Sequence, residues 1–173
     1  MKNIFCFILF SVIANPFFAQ QQDSLVGDRK PLGFKKNVFY VEGLGNAGIG
    51  VYSINYERNA GNNKNGFATI RIGCSRLYAE KGEGINVPIL INQVFDNSPN
   101  HHFELGGGMS VAFGNNASYA FGVTANLMYR FQKPGGRFMF RAGWTPVYYI
   151  GETSPFVIVA FLLYPGAGIG YVF

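Results

Sequence analysis

"YAFGVTANLMYRFQ", residues 119–132, decides the fold. Its odd positions are Tyr119, Phe121, Val123, Ala125, Leu127, Tyr129 and Phe131, all apolar. Its even positions are Ala120, Gly122, Thr124, Asn126, Met128, Arg130 and Gln132, mostly small or polar. A helix would smear the odd set around its whole circumference, whereas a strand places it on one face. The alternation lasts 14 residues. That exceeds the ~9–11 residues of a tilted membrane strand and is long beside the ~5–6 typical of a soluble domain.

The same period runs through seven other segments: 37–45, 50–58, 67–78, 85–94, 102–113, 137–149 and 165–173. Between them lie Gly-, Asn-, Asp- and Pro-bearing stretches such as "NAGNNKNG" (59–66), "AEKGEG" (79–84), "FDNSPN" (95–100), "GNNAS" (114–118) and "KPGG" (133–136). These residues supply the backbone geometry that turns require. The expected fold is all-β: an eight-stranded antiparallel up-and-down transmembrane β-barrel with a polar, filled lumen. An even strand count returns both termini to one side, as in single-chain bacterial barrels. Pro88 and Pro146 fall inside strands, where each removes a ladder donor, so a bulge or strand end is expected near each.

The first residues, "MKNIFCFILFSVIANPFFAQ", combine an early Lys2, an apolar run from Ile4 to Ala14, Pro16 and a small Ala19. This is the layout of a secretory signal peptide, with cleavage expected at or near Ala19. The expected organisation is signal peptide 1–19, a short periplasmic tail 20–36 and a barrel 37–173. After residue 19 only Cys74 remains, so no internal disulfide is available. Aromatics make up 17% and charged residues 13% of the chain, an odd balance for a water-soluble domain. The longest later apolar run, "FVIVAFLLY" at 156–164, is about half the ~20 residues of a membrane helix. A closed barrel is the other structure that satisfies every backbone group in lipid.

The C-terminal "GAGIGYVF" carries Gly168-x-x-Tyr171-x-Phe173. It resembles the assembly signal of Gram-negative outer-membrane β-barrels, and the whole segment 20–173 is similar to the small OmpA/OmpX-type eight-stranded members. That resemblance implies residence in the bacterial outer membrane among its lipids and insertion by the barrel-assembly machinery. It implies no cofactor, no catalytic residues and no metal site. A monomer is expected.

Strand parity places Glu42, Glu57, Arg71, Glu104, Arg130 and Arg141 on the inward face. An Arg or Lys on the lipid face costs ~2–4 kcal/mol at the membrane midplane. Six charges sharing one face with Ser, Thr and Asn therefore imply a polar lumen, in which buried charges must pair. Arg137 is expected at the barrel mouth. Arg58 and Arg76 have outward parity near strand ends, where their long side chains reach headgroups. Tyr119, Phe131, Tyr148, Tyr149, Tyr171 and Phe173 suit interfacial girdles.

Gly43-x-Gly45-x-x-Gly48 has dinucleotide-fingerprint spacing, but "IGVYSINYERNA" follows with period two where a helix is required. The glycines suit a hairpin tip instead. Residues 37–173 hold nine Lys/Arg and seven Asp/Glu with no basic cluster, which argues against nucleic acid. His101 and His102 are adjacent, so on a strand they face opposite sides and cannot jointly clasp a metal. The expected function is a structural or interaction role without an open pore and without enzymatic activity. The alternatives are a narrow channel, a lipid-modifying enzyme (Thr153 or Ser154 with a histidine) and a soluble ligand-binding barrel.

Overall fold

The computed structural model describes residues 36–43, 52–79, 82–96, 98–114, 119–150 and 165–173. The signal-peptide and tail assignments, Ala19 included, lie outside them, as do Thr153 and Ser154 and the apolar 156–164 segment. The described residues form strands β1 (Asn37–Gly43), β2 (Tyr52–Asn63), β3 (Gly66–Ala79), β4 (Gly82–Phe95), β5 (His101–Gly114), β6 (Tyr119–Gln132), β7 (Phe138–Trp144), β8 (Val147–Tyr149) and β9 (Pro165–Val172). All pairings are antiparallel, and β1 against β9 together with β5 against β6 close the sheet into a barrel. β7 and β8 are two parts of one strand, so the barrel has eight staves. Both lie against β6 in a single register, from Gln132↔Met139 to Gly122↔Tyr149.

The registers fix the stagger of the barrel. From Phe39 a perpendicular crosses Tyr56, Ile72, Ile89, Met109 and Val123 to reach Tyr148. In the other direction it passes through Tyr171 to Phe138, ten residues away along the same stave. With ~3.3 Å per residue and ~4.8 Å between strands, ten residues over eight strands tilts each strand by ~40°. A barrel this narrow has an interior that side chains fill.

The two prolines are accommodated differently: Pro146 falls where β7 ends and β8 begins, as expected, whereas Pro88 lies inside β4, and neither shifts a register. Opposite Pro88, pairing between β3 and β4 lapses after Ile72↔Ile89 and resumes in step at Ser75↔Asn86. Gly73 makes this possible, since a Cβ there would stand 3.0 Å from Pro88 Cγ. Pro146 separates β7 from β8, yet its carbonyl still accepts from the Ala125 amide at 3.1 Å. The register shift lies instead in β2, between Asn59 and Gly61.

The strands also run further into the connections than turn composition suggested. β2 continues to Asn63, and the β2–β3 turn shrinks to Lys64 and Asn65. Gly66 has φ +143° and lies against the Val94 carbonyl, leaving no space for a side chain. In Lys133-Pro134-Gly135-Gly136, Gly135 has φ +69° and the Gly136 amide donates to the Lys133 carbonyl at 2.9 Å. Proline followed by a positive-φ glycine is the chemistry of a type II turn.

Candidate functional site

Period two sorts side chains to the two faces, and the faces have opposite chemistry. Among the described residues 18 polar or charged residues are buried against 10 hydrophobic ones. Outward stand Phe39, Ile54, Ile72, Ile89, Leu105, Phe121, Leu127, Phe140 and Ile169, all exposed. The molecule is thus polar inside and apolar outside, the reverse of a water-soluble domain.

The interior is organised around six charges from six strands. Glu42 (β1), Glu57 (β2), Arg71 (β3), Glu104 (β5), Arg130 (β6) and Arg141 (β7) are each no more than 1% exposed. Three acids face three bases, so the cluster is neutral. Arg141 is its hub: its guanidinium lies 3.5 Å from Glu42, 3.6 Å from Glu57 and 3.1 Å from Glu104. It also donates to the Tyr40 hydroxyl at 2.7 Å. Arg71 pairs with Glu42 at 3.3 Å and donates twice to Asn55 Oδ1, at 3.0 and 2.9 Å. Arg130 pairs with Glu57 and with Glu104 at 3.5 Å, and donates to Gln132 Oε1 at 2.9 and 2.6 Å. The Tyr40 ring receives both Arg71 and Arg141, at 5.3 and 5.1 Å from its centroid.

Neutral partners complete the cluster. Asn126 donates to Glu104 Oε1 at 2.9 Å. Tyr40, Asn55, Asn126 and Gln132 were not assigned to the charge network from sequence. The signal that would have found them is their inward parity on the strands that carry the charges.

Space for the cluster comes from the last strand. Gly168 pairs with both Glu42 and Arg141 and presents no side chain to either. A Cβ on it would stand 3.4 Å from Arg141 Cγ and from Glu42 Cβ. Tyr171 and Phe173, expected to belong to an assembly signal, point outward and stack at 6.2 Å. Arg137 is exposed at the start of β7, and Arg58 and Arg76 are exposed on the outer face. Cys74 is exposed and free.

Buried side chains lie towards both ends of the lumen. At the end bearing the 64–65, 98–100 and 133–136 turns, Val38, Phe67, Val94, Met139 and Val172 are buried. Buried His102 joins them, with Nε2 3.2 Å from the Gln132 carbonyl and Nδ1 3.5 Å from Asp96. His101 faces outward against Tyr129, so the two rings diverge. Towards the opposite end, Ser110 and Tyr149 both donate to Asn86 Oδ1, at 2.6 and 3.1 Å. Tyr149 therefore serves the lumen, not the girdle assigned to it, because its neighbour Tyr148 takes the outward position. Among the described residues no group of three or more His, Cys, Asp or Glu is placed to hold a metal ion. Where a dinucleotide fold needs a helix after the Gly43 motif, the chain forms β2. Compared with known protein families, characterised proteins and solved structures, the chain gives no significant match.

Proposed function

We propose that the chain is an integral outer-membrane β-barrel of the small OmpA/OmpX type. It would serve a structural or interaction role as a monomer, without an open pore, cofactor or catalytic activity. The observation that carries this reading is the apolar belt around the barrel. On β6 alone the outward stripe runs from Tyr119 to Phe131. Twelve residue steps at ~3.3 Å along a strand tilted by ~40° give ~30 Å of height. That matches an apolar band of ~25 Å bounded by aromatic girdles. The belt encircles the barrel and extends well beyond the few hundred Å² of contiguous apolar surface that soluble monomers tolerate. The packed lumen supports the absence of an open pore. The outward Tyr171 and Phe173 rings are accessible to an assembly factor.

The test is to express the full chain in a Gram-negative host, isolate outer membranes and compare boiled with unboiled samples on a detergent gel. A faster-migrating unboiled band in the outer-membrane fraction is expected. A soluble protein with identical mobility in both lanes would overturn the membrane assignment and make the belt a ligand- or partner-binding surface. The same purified protein in planar bilayers should give no steady conductance.

A further inference from the structure

The outer face of β2 and β3 is not uniformly apolar. A groove of about 510 Å³ runs over it, lined by Tyr56, Arg58, Asn59, Ala60, Ile70 and Ile72. Its floor is aliphatic, with Ile70 and Ile72 about half exposed. At its rim stands the exposed Arg58, whose ladder partners are Asn37 and Ile70. No carboxylate pairs with Arg58 among the described residues. The register shift beyond Asn59 ends the outward stripe of β2 here, so the cation stands where the apolar belt stops. Exposed Lys36 and Lys64 lie at the same end of the barrel. The one described acid there, Asp96, lies 3.5 Å from His102 Nδ1.

A cation at the edge of an aliphatic groove fits an amphiphile with a negative head. We infer that this face holds an anionic phospholipid. Its phosphate is bound by the Arg58 guanidinium, whose planar fork matches phosphate oxygens, and one acyl chain lies along Ile70 and Ile72. The inference rests on the membrane assignment above. It goes further by naming one lipid class and one position on the barrel wall.

The test uses the full chain refolded into phosphatidylcholine vesicles, with Trp144→Phe removing the native indole and Ile70→Trp placing a reporter in the groove. Brominated phosphatidylglycerol and brominated phosphatidylcholine are compared as quenchers. The anionic lipid should associate about five-fold more strongly, the selectivity that one cation near a charged leaflet provides. Arg58→Gln should abolish that preference, while Lys133→Gln with Arg137→Gln, across the barrel, should leave it intact. Equal quenching by both lipids, or a preference that survives Arg58→Gln, overturns the lipid site and leaves the membrane assignment standing. A reporter that neither lipid quenches overturns both.

Discussion

Arg141→Met separates the electrostatics of the lumen from its packing. Methionine keeps most of the side-chain volume, so the cavity cost is small. What changes is charge: three buried carboxylates then face two buried guanidiniums. Arg141 lies within 3.6 Å of all three acids and bonds the Tyr40 hydroxyl, so all four groups lose their shared partner. Removing one member of a buried ion pair costs ~3–5 kcal/mol. This is a large fraction of the ~5–15 kcal/mol that holds a typical domain together. The informative companion is Glu104→Gln, because Glu104 is the nearest acid, at 3.1 Å. Its amide oxygen can keep the bond from Asn126. The double variant has two acids and two bases, so its cost should fall short of the sum of the singles by ~1–3 kcal/mol. Urea titration in phospholipid vesicles, followed by circular dichroism and by unboiled gel mobility, measures all four proteins. A single-variant cost below ~1 kcal/mol, or strict additivity, would refute the coupled cluster.

Other substitutions probe the wall. Gly170→Ala should cost ~1–3 kcal/mol in the same titration, because its Cβ would press on Tyr40 Cβ and stand 2.9 Å from the Phe39 carbonyl. Gly107→Ala, whose Cβ would meet only the Thr124 carbonyl at 3.7 Å, should stay within ~0.5 kcal/mol. Ile89→Arg, in the middle of the outward belt, should destabilise the vesicle-embedded barrel by ~2–4 kcal/mol; a more soluble and equally stable protein would contradict lipid exposure. Tyr149→Phe should cost ~0.5–1.5 kcal/mol through the lost bond to Asn86, as urea titration would read it.

Strand identity and facing were legible because each depends only on neighbours along the chain. Period two alone assigns Glu104, Arg130 and Arg141 to the inside and Leu105, Tyr129 and Phe140 to the outside. Who meets whom was not legible. Glu57 and Arg130 are 73 positions apart, and only the ten-residue stagger of the closed sheet brings them to one level. Pro88 shows a related limit. A missing donor is a local fact, but its accommodation at Pro88 depends on Gly73 in another strand. Tyr149 shows the limit of assigning aromatics by position along a stave: two adjacent rings cannot both join a girdle when the strand turns every second side chain inward.

The inner face of β9 is Gly166, Gly168, Gly170 and Val172, three bare positions followed by one side chain. Two-residue slippage against β1 would keep glycine beside Glu42, so the charged interior is nearly blind to such an error. The outward stripe of Ala167, Ile169 and Tyr171 is no stricter, since all three are exposed and make no demand on register from within the lumen. Val172 is different: it is fully buried in a cluster with Val38, Tyr40 and Met139. Beside it, Asn37 and Phe173 exchange backbone bonds of 3.0 and 2.9 Å. The side chains along the seam that closes the barrel therefore specify its register at one end, through the isopropyl group of position 172.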